Sequence, residues 1–141
     1  MEYEPVIGIE IHVELKTKSK RFSSAPCNFG EAPNTQTIPF DLAFPGTRPV
    51  VNKEAVCFGI KVCQALNRNI ARTLYFDRKN YFYPDLPKGF QITQQFHPIG
   101  TNGYVEIHAD GKDIKVGVNN AHLEEDTAKQ VGDSWFAKMV A

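Results

Sequence analysis

Residues 22–49 carry Pro26, Pro33, Pro39, Pro45 and Pro49 together with Gly30 and Gly46. A proline inside a helix removes a backbone donor and clashes with the preceding turn, so this stretch is barred from a long helix. An extended, looping path remains for it. A loop of that length in a compact domain is commonly functional or clamped by a partner. Regular structure must therefore lie on either side.

On the N-terminal side, "VIGIEIHVEL" (residues 6–15) places Ile7, Ile9, Ile11, Val13 and Leu15 at odd positions and Glu10, His12 and Glu14 at even ones. A period of two predicts a half-buried strand, with "KTKSK" as a solvated turn after it. On the C-terminal side, "NKEAVCFGIKVCQALN" predicts a helix: Asn52 suits the N-cap, Glu54 favours the positive end of the dipole, and Val56, Ile60, Cys63 and Leu66 recur at helical spacing. "YVEIHADGKDIKVGV" predicts an antiparallel hairpin, since Val105 and Ile107 alternate before Asp110-Gly111 and Ile114, Val116 and Val118 alternate after it. Hairpins plus one clear helix make the fold class α+β, an antiparallel sheet with a packed helix.

The 141 residues suffice for one domain with a core, and 42% apolar against 23% charged residues describes a globular chain. Sixteen basic and sixteen acidic residues give a formal net charge of zero, so bulk charge does not drive nucleic-acid binding. Cys27, Cys57 and Cys63 are an odd set without paired spacing. That argues against a disulfide scaffold and fits a reducing cytoplasm. "MEYEPVIG" has no basic segment leading into an apolar run, so no signal peptide is expected, and no stretch approaches the ~20 apolar residues of a membrane span.

Three stretches carry chemistry. Residues two apart on a strand face the same way with Cα atoms ~6.5–7 Å apart, so Glu10 and His12 could converge on one ion. A solvated strand face is the competing reading. "AHLEED" adds Glu124, Glu125 and Asp126, either as further oxygen donors or as a solvated acidic turn. Hard divalent cations take carboxylates, often with substrate phosphates, and a histidine beside them also suits manganese. "FDRKNYFYPDLPKGFQITQQF" interleaves Arg78, Lys79 and Lys88 with Phe76, Tyr81, Phe82, Tyr83 and Phe90, and is stiffened by Pro84 and Pro87. Cations so placed could hold phosphate or a carboxylate; alternatively the rings fill the core and the charges are solvated.

"GIEIHVELKTKSK", "DLAFPGTRPVVNKEAV", "FDRKNYFYPDLPKGFQITQ" and "HLEEDTAK" resemble the start of the B subunit of the aspartyl/glutamyl-tRNA(Asn/Gln) amidotransferase family, over roughly residues 5–130. "RKNYFYPDLPKG" is the most specific of these. The resemblance implies part of a cradle domain similar to glutamine synthetase. It implies ATP-dependent phosphorylation of the side-chain carboxylate of Glu on tRNA(Gln) or Asp on tRNA(Asn). Ammonia from a partner amidase subunit then displaces the phosphate. The implied partners are the amidase (A) subunit, the small C subunit, together with misacylated tRNA; no membrane is implied. The implied cofactors are ATP and Mg2+ or Mn2+. By resemblance, Glu10, His12, Glu124 and Glu125 match ion-binding positions. Lys79 and Lys88 match polar positions on the substrate or ammonia route. Tyr81, Tyr83 and Asp85 share that motif without separate roles, and Glu14 is either an outer support of the site or solvated.

The sequence also departs from the family. Many members carry a zinc site here, but Ser23, Ala25, Ile38 and Asp41 stand where its cysteines would be, and Cys27 alone cannot make a tetrahedral thiolate site. No structural zinc is expected, and the loop is expected to be held by Phe22, Phe29, Phe40 and Phe44. The family's B subunit is several times longer, with a helical tail that makes most of the tRNA contacts. Residues 1–130 read as a partial kinase domain, and "VGDSWFAKMVA" as an atypical tail, a capped sheet or the mark of a truncated or frameshifted reading frame. Activity is expected only within a complete complex. The alternative is a truncated, non-catalytic fragment that binds nucleotide or metal or docks on a partner.

Overall fold

The computed structural model describes residues 3–83, 86–126, 129–131 and 138–140, the last two segments as backbone only. Helix α1 spans Lys53–Ala65. The strands are β1 (Asn69–Ile70), β2 (Asp77–Asn80), β3 (Phe90–Thr93), β4 (Gly100–Ala109), β5 (Lys112–Ala121), β6 (Lys129–Val131) and β7 (Lys138–Val140). They form a three-stranded sheet in the order β1-β4-β5 and two antiparallel pairs, β2-β3 and β6-β7. Every pairing among these strands is antiparallel, so the α+β class holds.

The helix and the long hairpin form where local chemistry demands them. The Asn52 side chain accepts from the Glu54 and Ala55 amides, satisfying two donors that a helix start leaves free. The β4–β5 register sets Val105 opposite Val116 and Ile107 opposite Ile114. Asp110 and Gly111 both take positive φ, 51° and 71°, the pair of left-handed residues that a type I′ turn requires. One face of this hairpin keeps Val105, Ile107, Ile114 and Val116 between 36% and 44% exposed.

Two apolar clusters hold the chain together. Phe22, Phe40 and Ile92 are buried, with Ile38, Phe76 and Phe90 packed against them. Cys63, Ile99 and Leu123 form the other, beneath α1. Phe76 touches both clusters, and its ring meets Phe22 edge-on at 5.1 Å between centroids. Burying such a side chain contributes roughly 1.5–3 kcal/mol, so these few residues dominate the fold. Gly59 brings α1 close: a Cβ there would lie 3.0 Å from the Leu123 side chain.

The Pro/Gly-rich segment is closed at its neck. The Val50 amide donates to the Phe22 carbonyl at 3.0 Å and the Asn52 amide to that of Arg21 at 2.8 Å. Within it, Asp41 Oδ2 accepts from Ser23 Oγ (2.8 Å) and from the Ile38 amide (2.9 Å), while Ser23 Oγ also accepts the Ala25 amide at 3.1 Å. The four positions Ser23, Ala25, Ile38 and Asp41 thus come together through one carboxylate. Phe22 and Phe40 pack as expected, but Phe29 is fully exposed and Phe44 is 55% exposed. Hydrogen bonds to Asp41 take the place that those two rings were expected to fill.

The strand expected over residues 6–15 is not found. The segment lies outside every sheet, and Ile7, Ile9, Ile11 and Val13 are 84%, 83%, 79% and 68% exposed. A period of two states that a partner strand is needed; among the described residues none pairs with it.

Candidate functional site

The "RKNYFYPDLPKG" stretch is a hairpin. Asp77, Arg78, Lys79 and Asn80 pair with Thr93, Ile92, Gln91 and Phe90, and Tyr81 closes the ladder by donating its amide to the Gly89 carbonyl at 3.1 Å. Gly89 sits at φ 71°, a conformation that glycine adopts without steric cost. The rings of Tyr81 and Tyr83 lie edge-on at 5.6 Å. Asp85 and Pro84 lie outside the described residues.

The "HLEED" stretch is strapped along this hairpin. Leu123 donates its amide to Gln94 Oε1 at 3.0 Å, and Gln94 Nε2 in turn reaches the Tyr75 carbonyl at 3.0 Å. The Glu125 amide donates to the Ile92 carbonyl (2.8 Å), and Gln91 Nε2 donates to the Glu125 carbonyl (2.6 Å). Arg21 donates to the Glu124 carbonyl. Burial pushes the Arg21 guanidinium below its ordinary value, opposed by Glu124, Asp126 and Glu125. Gln91, Gln94 and Arg21 are the residues that sequence reasoning missed. Glutamines inside "FQIT" and just after it, where an apolar strand would carry hydrophobes, were the available signal.

Lys88 and Glu125 lock the two stretches together. Lys88 Nζ lies 2.5 Å from Glu125 Oε1, with the two side chains 9% and 12% exposed. The Ile92 amide donates to Glu125 Oε2 at 3.1 Å. The Lys88 ammonium also stands 4.9 Å from the centre of the Phe40 ring. Lys88 thus faces a recess of about 180 Å³ walled by Phe40, Phe44 and Phe90, which Arg78 shares. Lys79 is exposed and does not line that recess, because neighbouring residues on a strand point to opposite faces.

The four candidate ion ligands stand as separate groups. Glu10 and His12 face each other at 3.4 Å on the exposed N-terminal segment, with Glu14 also exposed. Glu124 is 2.9 Å from His122 Nε2, and Glu125 is paired with Lys88. Among the described residues, no three His, Cys, Asp or Glu side chains are grouped so as to share an ion. The donor types fit a hard divalent cation; their separation follows from residues 6–15 having no place in a sheet beside residues 122–126. Among the described residues no helix is long and apolar enough to cross a membrane.

Residues 5–140 match the family described as the GatB/GatE catalytic domain. The B subunit of the aspartyl/glutamyl-tRNA(Asn/Gln) amidotransferase of Mycoplasma mobile is 60% identical over 129 residues, covering 92% of this chain and 27% of the relative. That of Mycoplasmopsis agalactiae is 58% identical over 128 residues, covering 91% and 27%. That of Bacillus licheniformis is 56% identical over 137 residues, covering 96% and 29%. The chain therefore spans less than a third of the length of these relatives.

Proposed function

The chain belongs to the GatB/GatE catalytic-domain family, and on that premise we propose that it carries part of the site at which a tRNA-bound carboxylate is activated and amidated. The reaction is carbon–nitrogen ligation. ATP phosphorylates the side-chain carboxylate of Glu on tRNA(Gln) or Asp on tRNA(Asn), and ammonia from a partner amidase displaces the phosphate. A free carboxylate is a poor electrophile until its oxygen becomes part of a leaving group, which is why the chemistry needs ATP. The observation that carries this reading is the meeting of two motif stretches at Lys88 and Glu125, in a chain matching that family over residues 5–140.

The chain's own residues then divide the work. Lys88, held at a fixed height over Phe40 by Glu125, presents positive charge to the recess where a carboxylate or its phosphorylated form would sit. Lys79, exposed on the opposite face of the hairpin, is assigned to the route by which substrate or ammonia approaches. Glu10, His12, Glu124 and Glu125 would hold a divalent ion, Mg2+ or Mn2+, once residues 6–15 are brought beside residues 122–126 and Glu125 is released from Lys88; the ion's chemistry is to neutralise phosphate charge and align the transferring group. The partners are the amidase (A) subunit, the small C subunit, together with misacylated tRNA.

The test is reconstitution. Chain, both partner proteins, misacylated tRNA, glutamine and ATP should give amidated tRNA only in the full mixture. Absence of ATP-dependent product from that mixture favours a second reading, a non-catalytic chain that docks on a partner or binds nucleotide or metal. Product from the isolated chain would refute the need for partners. For the ion, calorimetry should show Mn2+ binding weakened at least tenfold by Glu10→Ala with His12→Ala; equal affinity would remove those two ligands from the proposal.

A further inference from the structure

The recess beside Lys88 contains a second cation that the reading above does not use. Arg78 lies with its guanidinium carbon 4.4 Å from the centre of the Phe90 ring, and among the described residues its side chain makes no hydrogen bond or ion pair. Stacking on a ring face leaves the in-plane N–H fork of an arginine free, and that fork matches a carboxylate or phosphoryl group with two parallel bonds. The acids nearby do not compete for it. Asp77 accepts the Phe96 amide at 3.0 Å, and Glu125 is held by Lys88 and the Ile92 amide. Among the described residues the charges lining the recess are Arg78 and Lys88, and the pairing of Lys88 with Glu125 leaves one net positive charge. Thr47 donates its hydroxyl proton to the Phe44 carbonyl at 2.7 Å, so the donors for a ligand are the two cations.

We propose that this recess is an oxyanion site in which Arg78 is the binding residue and Lys88 the supporting charge. The rings of Phe40, Phe44 and Phe90 give an apolar lining beside the two cations, while the side of Arg78 stays open for a ligand to enter. At about 180 Å³ the recess falls below the usual ~300–1,000 Å³ of whole-ligand pockets, so it takes an acidic group or small acid and not a complete nucleotide. Its occupant is either the carboxylate to be activated or the phosphoryl group joined to it. That identification rests on the amidation reading; the site itself does not.

The experiment is NMR titration of the 141-residue chain with inorganic phosphate and, separately, with monomethyl glutarate, at constant ionic strength. Saturable shifts confined to the amides of Ala43, Phe44, Lys88 and Phe90 are expected. Arg78→Met should weaken binding at least tenfold and Arg78→Lys at least threefold, since lysine keeps the charge and loses the fork. Arg78 is exposed, so both variants should keep the β4–β5 spectrum of the parent. Tighter phosphate binding assigns a phosphoryl occupant, and tighter glutarate binding a carboxylate. Non-saturating shifts, equal displacement by chloride, or unchanged affinity in Arg78→Met would overturn the site. Because binding is read without turnover, an empty recess leaves amidation standing, and failed amidation leaves the recess standing.

Discussion

The Lys88 ammonium lies 2.5 Å from one carboxylate oxygen of Glu125, while the other oxygen of that carboxylate receives the Ile92 amide at 3.1 Å. One side chain therefore ties a loop, a strand and the acidic stretch into a single unit. Removing one partner of a buried pair leaves the other charge uncompensated, at a cost of ~3–5 kcal/mol. Glu125→Gln should lower the unfolding free energy in urea by about 3 kcal/mol, because glutamine keeps an acceptor for Ile92 but not the charge. Adding Lys88→Met should restore part of that loss. Strictly additive effects in the double variant would show that the two groups do not interact.

Arg68 presents the opposite case. It is 7% exposed, and its Nε, Nη1 and Nη2 are buried without a hydrogen-bond partner among the described residues. Its stem lies against β4 where Gly100 and Gly103 leave space; a Cβ at Gly103 would also lie 2.5 Å from the Leu66 carbonyl oxygen. Burial pushes the guanidinium below its ordinary value, with Cys63 opposing. A buried charge without a partner is replaced favourably by an apolar chain of similar length, so Arg68→Met should raise stability by ~1–3 kcal/mol. A lower melting temperature for that variant in calorimetry would mean that the guanidinium has a favourable partner.

Cys63 gives a pH dependence with a definite sign. It is fully buried, and burial pushes its thiol above the ordinary value of 9.0, with Arg68 opposing. A group whose folded value is raised contributes stability below its unfolded value and loses that contribution as pH rises through the folded one. The stability advantage of the parent over Cys63→Ala should therefore shrink between about pH 8 and about pH 10. A constant gap across that range would exclude the effect.

Asp41 organises the proline-rich loop through Ser23 and Ile38, with Lys20 at 3.7 Å from its other oxygen. Asp41→Ala leaves a buried hydroxyl and an amide without an acceptor, which costs ~1–3 kcal/mol. Hydrogen exchange should accelerate across residues 22–42 and not in α1. Unchanged protection of the Ile38 amide would contradict this role.

What could be read from sequence was what short-range chemistry decides. Asn52, Asp110 and Gly111 act within a turn of themselves, and α1 and the β4–β5 hairpin appeared where they were expected. Long-range partners were not legible. The contact from Leu123 to Gln94 joins residues 29 apart, and no pattern in either stretch announces it. The β2–β3 hairpin was hidden because Arg78, Lys79 and Asn80 break the apolar alternation that marks a strand. Lys88 could be singled out as a charge in a stiff segment, but its pairing with Glu125 needed the fold.

The N-terminal alternation has a consequence for the chain as a colloid. Ile7, Ile9, Ile11 and Val13 present a row of apolar side chains to water beside backbone that no described strand covers. Such a row is a template for stacking one molecule on the next. Long-range repulsion is absent at neutral pH, where the formal net charge is zero and the isoelectric point is about 6.9. Solubility is therefore lowest near neutrality, and a buffer well to either side keeps the molecules dispersed by giving all of them the same sign.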